Sequence, residues 1–248
     1  MAPKKDRIDR LLVERGLFES RGKAQAAIEA GLVAANDVPV RKASDEVAVD
    51  ARLSATPVHP YVSRGGVKLA AALDHFGFDP KDRICLDVGA STGGFTQVLI
   101  ARGATRVYAV DVGRGQLHAS LRTHPQVVSL EETDIRTFTA DMLRETPDLL
   151  TVDVSFISLK LVLPAALKLV APHAQMIALI KPQFEAGPAQ VKKGIVRDMS
   201  VHAAVCADIV TLVAALGWRV AGVMPSPITG GDGNAEFLLG ANSSGAIT

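Results

Sequence analysis

The chain has 248 residues, of which 48% are hydrophobic and 21% are charged, and its formal net charge is +1. This composition is typical of a soluble globular protein and excludes a polycation, so a surface for nucleic acid would have to be a local patch. The most apolar stretch, residues 149–180, is interrupted by charged residues and prolines. Because a membrane span needs about 20 mostly apolar residues, we expect buried strands and a helix in this stretch.

The first block of the chain predicts a small unit of two helices and a hairpin. Apolar spacing predicts a helix over residues 7–16, and Ser20 is placed to cap a second helix over residues 21–30. Short β-type runs follow, with the first two joined near Asn36-Asp37: LVAAN, VPVRK and EVAVD. The polar, proline-bearing residues 54–60 are the expected connection to the second block.

The second block alternates β-type runs with helical stretches. Five apolar runs appear in order: ICLDVGA, RVYAVDVG, VVSLEETD, LLTVDVSF and AQMIALIKP. A long helix over residues 199–216 precedes WRVAGVMPSP and AEFLLGANS, which are close enough in sequence to form a hairpin. This order predicts an α/β fold with a doubly wound, mostly parallel, Rossmann-like sheet of seven strands and an antiparallel edge hairpin. We place a small α+β domain at 1–56, a linker at 57–62 and the α/β domain at 63–248.

The loop after ICLDV has the composition of a cofactor-binding turn. Its glycines allow a tight turn and a close approach to a ligand, and a helix from Gly94 to Arg102 would direct free N–H groups at that ligand. Asp111 follows the next run, where a carboxylate can accept hydrogen bonds from both ribose hydroxyls. The loop lacks the second glycine of the dinucleotide fingerprint G-x-G-x-x-G, and its pattern D-x-G-x-x-x-G-G is closer to an S-adenosylmethionine loop. A dinucleotide site and a purely structural turn are the alternatives.

Most of the cofactor contacts that we predict belong to this loop, and the others follow later strands. Asp87 is expected near the amino-acid end of S-adenosylmethionine, and Asp111 is expected at its ribose. The predicted set is Asp87, Gly89, Ala90, Ser91, Thr92, Gly93, Gly94, Phe95, Asp111, Val112, Asp134 and Asp153.

Four charged residues fall where a sheet of this kind gathers its active site. Asp153 and Lys181 end two apolar runs, Glu236 opens the last strand, and Lys68 precedes the sheet. Charges flanked by apolar runs are costly unless they are paired or used, and each one alone could be a structural ion pair. Together they suit a reaction at a ribose 2′-hydroxyl, which is a poor nucleophile until a base removes its proton. We hypothesise that Lys181 takes the proton and that the other three orient the hydroxyl and the amine.

These motifs resemble those of a known family. Residues 62–244 resemble the FtsJ-like methyltransferases, whose ribose-methylating members carry a Lys-Asp-Lys-Glu tetrad that Lys68, Asp153, Lys181 and Glu236 match in order. The first block resembles the S-four RNA-binding domain. The combination of this block with the methyltransferase-like block is similar to the TlyA, or haemolysin-A-like, family, on the strings SRGGVKL, DVGASTGGFT, DVGRGQL, DVSFISL and KPQFE. The resemblance implies magnesium-independent 2′-O-methylation, with S-adenosylmethionine, of cytidine in ribosomal RNA or a ribosomal subunit.

On this interpretation, basic side chains contact RNA phosphates: Arg7, Arg10, Arg21, Lys23 and Arg64. Such contacts position a protein on RNA without reading the base sequence. Because Phe18 is the only aromatic residue before Tyr61, we expect recognition of folded RNA shape, with the target base extruded. The alternatives for this block are a solvated, salt-bridged helix face and a protein-docking domain.

Two other functions are considered for the whole chain. A membrane-active haemolysin needs spanning helices or long alternating strands, and the sequence predicts neither. An RNA-binding module without catalysis is disfavoured because all four tetrad positions are filled. The start of the chain has no apolar core behind its charges, so we expect no signal peptide and a cytoplasmic location. No metal site is predicted, because the histidines lack ligand spacing and Cys85 and Cys206 lie in separate apolar runs.

Overall fold

The computed structural model describes residues 4–245 and divides into two compact units, residues 1–60 and 61–248. The outermost three residues at each end, which belong to the predicted domains, lie outside the described residues. The first unit has two helices, α1 (Ile8–Glu14) and α2 (Arg21–Glu29). Its five strands are β1 (Lys5–Arg7), β2 (Val33–Ala35), β3 (Val38–Pro39), β4 (Glu46–Ala48) and β5 (Leu53–Ala55). β1 pairs with β4, and β2 lies between β3 and β5.

The first unit follows most of the local signals in its sequence. The hydroxyl of Ser20 caps α2, and the turn between β2 and β3 uses Asn36 and Asp37 at φ values of +49° and +64°. One prediction is wrong here: Ser54 belongs to β5 rather than to the connecting segment, because its backbone pairs with Ala34 on the free edge of β2. Residues 57–62, predicted as a linker, contain no helix or strand.

The second unit is a seven-stranded sheet with helices on both faces. Its strands are β6 (Ile84–Val88), β7 (Arg106–Val110), β8 (Val127–Leu130), β9 (Leu149–Val152), β10 (Gln175–Ile180), β11 (Trp218–Pro225) and β12 (Phe237–Ser243). Its helices are α3 (Gly65–Phe76), α4 (Gly94–Ala101), α5 (Ala119–Arg122), α6 (Leu159–Ala166), α7 (Pro182–Glu185) and α8 (Met199–Ala215). The strand order is β11-β12-β10-β9-β6-β7-β8, and β12 pairs antiparallel with both of its neighbours. The predicted fold class is confirmed.

Strand alternation sends neighbouring side chains to opposite faces of this sheet. Cys85 of β6 packs with Leu99 of α4 on one face, and Leu86 packs with Ile209 of α8 on the other. Leu86, Leu99 and Ile209 are each fully buried, which stabilises the fold by about 1.5–3 kcal/mol per side chain relative to exposure. None of the helices within residues 4–245 has both the length and the apolarity to cross a membrane.

The order of the strands determines where a ligand would bind. From β6 the chain moves outward through β7 to β8, and then returns to the other side of β6 for β9 and β10. The direction of progression therefore reverses between β6 and β9. In open α/β sheets, ligands bind outside the carboxyl ends of the strands at such a switch point.

Candidate active site

Two adjoining cavities open beside the switch point, with volumes of about 540 Å³ and about 250 Å³. Residues that follow β7, β8 and β9 border much of the larger cavity, whereas the start of α3 and the loop after β6 border much of the smaller one. Four residues border both cavities: Gly89, Ser91, Asp153 and Ser155. Ligands bound in the two cavities would therefore approach each other at these residues.

The loop after β6 passes closely over the end of β9. Gly89 has a φ of +82°, and a Cβ atom at this position would overlap the carbonyl oxygen of Asp153. Gly93, at a φ of +96°, precedes α4 as its N-cap and has no side chain to cap the amides of the first turn. Other predicted contacts of the loop border the smaller cavity: Ala90, Thr92, Gly94 and Phe95. The loop is thus shaped for close approach by a ligand to its backbone.

Asp111 lies directly after β7 and borders the larger cavity. Its Oδ2 accepts a hydrogen bond from the amide of Ser91, and its Oδ1 accepts one from the amide of Gly113, each at 2.7 Å. These two bonds fix the orientation of the carboxylate. Because each carboxylate oxygen accepts more than one hydrogen bond, both oxygens remain able to bind ribose hydroxyls.

Two further predicted contacts border the larger cavity near the ends of β7 and β8. Val112 is 72% exposed, so its side chain is available to a flat apolar ligand surface. Asp134 accepts hydrogen bonds from the guanidinium of Arg136, the shortest of them at 2.6 Å. These hydrogen bonds hold the pKa of the Asp134 carboxyl below its ordinary value. The Asp134 charge is therefore compensated where it faces the cavity.

Asp87 is directed away from both cavities. Strand alternation turns it towards α4, and its oxygens accept hydrogen bonds from Thr96 of α4 at 2.6 Å and from Thr151 of the neighbouring strand β9 at 2.8 Å. Asp87 is fully buried, and this burial raises its pKa to about 6. The residues that border the two cavities include neither Asp87 nor Gly93. Direct contact between Asp87 and a cofactor therefore stays a prediction.

The four charged residues of the proposed tetrad form two ion pairs. The Nζ atom of Lys68 lies 2.5 Å from Oε2 of Glu236, and the Nζ atom of Lys181 lies 2.6 Å from Oδ1 of Asp153. Lys68, Asp153 and Lys181 all border the smaller cavity, and Glu236 is joined to it through its bond with Lys68. The fold therefore gathers side chains that are widely separated in the sequence.

Sheet pairing explains how these residues meet. Asp153 and Lys181 each follow one of two neighbouring parallel strands, β9 and β10, so their side chains start from the same edge of the sheet. β12 runs antiparallel to β10, and the register pairs Ile180 with Phe237. Glu236, one residue before Phe237, is therefore placed beside the end of β10. A proline at the first position of α7 ends β10 directly after Lys181.

The contact between Lys181 and Asp153 is an ion pair without a hydrogen bond. Oδ1 of Asp153 is buried and accepts no hydrogen bond from the described residues, although Nζ of Lys181 approaches it to 2.6 Å. The amine instead donates a hydrogen bond to Oγ of Ser155 at 2.8 Å. No role was predicted for Ser155 from the sequence. The one signal for it was the presence of a hydroxyl residue two positions after Asp153, the aspartate at the end of β9.

Phe156 is a second cavity residue for which no role was predicted from the sequence. Its side chain is 91% exposed, it borders the larger cavity, and its ring centroid lies 5.1 Å from that of Phe184. Its φ of +64° is unusual for a bulky residue and costs conformational energy. An exposed aromatic ring held in this way beside a cavity marks a surface that is available for stacking.

In the first unit, a buried carboxylate organises the predicted RNA-binding arginines. Asp9 is fully buried and accepts hydrogen bonds from Arg7 at 3.0 Å, from Arg21 at 2.7 Å and from Gln25 at 3.0 Å. The bond from Arg7 is the largest of the effects that hold the pKa of Asp9 well below its usual range. Arg7 and Arg21 therefore share one anchor, and both remain substantially exposed.

The other predicted RNA contacts are exposed side chains with weaker or no anchoring. Arg10 lies 3.6 Å from Asp6 and 3.7 Å from Glu14, and Lys23 pairs with Glu19 at 2.5 Å. Such surface pairs contribute little to stability, so these cations can exchange partners readily. Arg64 belongs to the second unit, where it precedes α3 and borders the smaller cavity.

Two family matches divide the chain in the same way as its two units. Residues 61–243 match the FtsJ-like methyltransferase family, and residues 6–53 match the S4 domain. Within residues 4–245, no group of three or more histidine, cysteine, aspartate or glutamate side chains is arranged to hold a metal ion.

The chain is similar over most of its length to proteins named as rRNA methyltransferases or hemolysins. It is 49% identical over 243 residues to a candidate rRNA methyltransferase, YqxC, of Bacillus subtilis, covering 96% of this chain and 86% of that protein. It is 43% identical over 236 residues to the 16S/23S rRNA (cytidine-2′-O)-methyltransferase TlyA of Mycobacterium tuberculosis, covering 94% and 88%. A solved structure of a candidate hemolysin from Streptococcus thermophilus is 42% identical, with a TM-score of 0.77, and covers 98% of this chain and 90% of that one.

Proposed function

The chain belongs to the FtsJ-like methyltransferase family, and from this premise we propose that it methylates the ribose 2′-hydroxyl of cytidine in ribosomal RNA. S-Adenosylmethionine is the proposed methyl donor, and the cytoplasm is the proposed location. The observation that carries this proposal is the pair of ion pairs, Lys68–Glu236 and Lys181–Asp153, at the smaller cavity, which shares Asp153 with the larger one. One cavity has groups suited to a nucleoside, and the other has groups suited to moving a proton.

The larger cavity fits the proposed cofactor. The missing side chain of Gly89 lets the loop after β6 pass against the carbonyl of Asp153, where both residues border this cavity, and Asp111 presents a fixed carboxylate to ribose hydroxyls. Val112 and Asp134 would then lie beside the adenine. When bound, S-adenosylmethionine supplies an electrophilic methyl group on a sulfonium ion.

The residues of the smaller cavity would activate the acceptor. Lys181 removes the proton from the 2′-hydroxyl, and Asp153 balances the ammonium charge that forms on Lys181. Lys68 lies at the same cavity and is held by Glu236, so it can donate a hydrogen bond to the acceptor oxygen without leaving its partner. General base catalysis of this kind contributes about 10²–10⁴-fold to a rate.

The acceptor base would stack on Phe156. This ring is exposed and borders the larger cavity together with Asp153, which the two cavities share, and Phe184 packs against it from the neighbouring segment. A single-stranded or extruded cytidine presents a flat face that such a ring can cover, whereas a base inside a helix does not. The catalytic unit thus offers the aromatic surface that the first unit lacks.

Replacing Phe156 with alanine should lower kcat/KM for ribosomal RNA by about 10-fold or more, because base–aromatic stacking contributes about 1–3 kcal/mol per base. Phe156→Tyr keeps an aromatic face and should retain most of the activity. Because Phe156 borders the cavity proposed for S-adenosylmethionine, the affinity for this cofactor is measured by calorimetry as well. A loss of that affinity equal to the loss of kcat/KM would assign the ring to the cofactor rather than to the acceptor base. Equal losses in the alanine and tyrosine variants would contradict a stacking role.

Arg7 and Arg21 would bind RNA phosphates from the first unit. An acidic residue at either position would repel the buried Asp9 and unfold this unit, so charge reversal is a poor test. The double variant Arg7→Gln, Arg21→Gln removes both positive charges and keeps hydrogen-bond donors for Asp9. The slope of log Kd for ribosomal RNA against log salt concentration should fall by about 1–2. Arg219→Gln, an exposed arginine on β11, is the matched control. An unchanged slope in the double variant would remove these arginines from the RNA interface.

Incubation with labelled S-adenosylmethionine and each isolated ribosomal subunit tests the proposed function as a whole. We expect label in ribosomal RNA, and mapping of the modified ribose should place it on the 2′-oxygen of a cytidine. Leakage from liposomes is the matched assay for a membrane-active haemolysin. Leakage without methyl transfer would reject the proposed function in favour of that alternative, and RNA binding without methyl transfer would favour a module without catalysis.

A further inference from the structure

We propose that Ser155 is a positioning residue that holds the Lys181 amine in line with the acceptor hydroxyl, an inference that rests on the function proposed above. Ser155 follows β9 by three positions and borders both cavities. It is therefore placed where a methyl donor in one cavity would meet an acceptor in the other. Ser155 transfers no proton of its own in this role.

The hydrogen bonds of Lys181 determine how its amine is oriented. A lysine amine is a compact group on a flexible four-carbon stem, so an ion pair alone does not fix its direction. Nζ of Lys181 lies only 2.6 Å from Oδ1 of Asp153, but the angles at this contact are not those of a hydrogen bond. Within residues 4–245, the hydrogen bond of this amine goes to Oγ of Ser155, at 2.8 Å. Ser155 therefore supplies the directional contact.

The direction of the amine matters because of the bonding pattern of a neutral lysine. Such an amine has two N–H groups and one lone pair, and the lone pair must point at the proton that it removes. The hydrogen bond to Ser155 fixes the direction of one N–H and so restricts the rotation that determines where the lone pair points, at an amine that borders the smaller cavity. Without Ser155 the amine can rotate, and its lone pair is directed at the acceptor for only part of the time.

Methyl transfer to the ribose requires that the hydroxyl proton passes to the oriented amine of Lys181. The O–H bond of the ribose breaks, its proton passes to Nζ of Lys181, and its electron pair forms the bond from oxygen to the methyl carbon. The carbon–sulfur bond breaks, and its electron pair stays on sulfur. Ser155 keeps its own proton throughout, and its Oγ continues to accept a hydrogen bond from the ammonium that forms on Lys181.

A simpler interpretation makes Ser155 replaceable. The residue is exposed, so in its absence a water molecule could accept the hydrogen bond from Lys181 at little cost. Ser155→Ala and Ser155→Thr separate the two interpretations, since alanine removes the hydroxyl and threonine keeps it. Ser200→Ala, an exposed serine at the start of α8 whose hydroxyl donates to Asp198, is the matched control.

The experiment combines kinetics with a measurement that does not depend on turnover. In Ser155→Ala we expect kcat to fall by about 10-fold or more, the scale of one hydrogen bond to a charged group. KM for ribosomal RNA and Kd for S-adenosylmethionine should stay within about twofold, as should kcat in Ser155→Thr and Ser200→Ala. Carbon-13 relaxation of the Lys181 side chain, assigned with Lys181→Arg, should show an ordered amine in the wild type and Ser155→Thr, and a mobile one in Ser155→Ala.

Wild-type kcat in Ser155→Ala, or an equally ordered Lys181 in that variant, would overturn the inference and leave the proposed function standing. A loss in Ser155→Thr as large as that in Ser155→Ala would also overturn it, because the hydroxyl would then not be the relevant group. Absence of methyl transfer by the wild type to either ribosomal subunit is a different result, since it rejects the proposed function itself.

Discussion

Replacing Lys181 with arginine should lower kcat for methyl transfer by about 10²–10⁴-fold, the contribution that a general base makes. Arginine keeps a positive charge beside Asp153, but its guanidinium does not give up its proton in proteins and cannot accept one from a hydroxyl. Lys181→Ala should be as inactive, because it removes both the charge and the base. The measurement is single-turnover transfer of label to ribosomal RNA at saturating cofactor.

The comparison of these two variants separates a base from an electrostatic role. If Lys181 acted only by its charge, Lys181→Arg would keep a large part of the activity that Lys181→Ala loses. Lys160→Ala removes an exposed lysine that pairs with Asp208 at 3.2 Å, and it should leave turnover unchanged. Near-normal turnover in Lys181→Ala, with cofactor binding intact, would show that another group takes the proton.

Sequence patterns predicted where the candidate active-site residues lie in the fold, but they did not predict which of these residues pair with each other. Apolar runs indicate where strands end, so the positions of Asp153 and Lys181 in the chain were enough to predict that they lie at one edge of the sheet. Their pairing with each other, and that of Lys68 with Glu236 across 168 positions, depends on strand order and on the packing of α3. A single sequence carries no local signal for either.

The burial or exposure of single side chains was harder to predict than the positions of the strands and helices. Asp87 was expected beside the cofactor, and nothing in DVGASTGG indicates that threonines on α4 and β9 would hold its carboxylate in the interior. Phe156 lies in an apolar run that predicts burial, although the chain turns to a positive φ there and exposes its ring. β1 has the sequence KDR, without an apolar residue, and β5 overlaps the polar segment that was expected to connect the two blocks.

The turn that brings the loop after β6 over β9 leads to a second large expected effect. Gly89→Ala should weaken binding of S-adenosylmethionine by more than about 10-fold and lower stability. A side chain at a φ of +82° costs about 1–2 kcal/mol, and its Cβ would also displace the backbone carbonyl of Asp153. Because Asp153 pairs with Lys181, the displacement reaches the proposed base as well as the cofactor.

Gly217 provides a matched control for the strain alone. It has the same φ of +82°, it follows α8, and a Cβ atom there would meet nothing within 4 Å. Gly217→Ala should therefore lose only the cost of the backbone strain, about 1–2 kcal/mol, which is less than the loss in Gly89→Ala, and it should keep its cofactor affinity and turnover. Equal cofactor affinities in Gly89→Ala and Gly217→Ala would show that cofactor binding does not depend on the close contact between Gly89 and Asp153. Weaker binding in Gly89→Ala alone would show that the cofactor site needs this contact, at the point where the larger and smaller cavities meet.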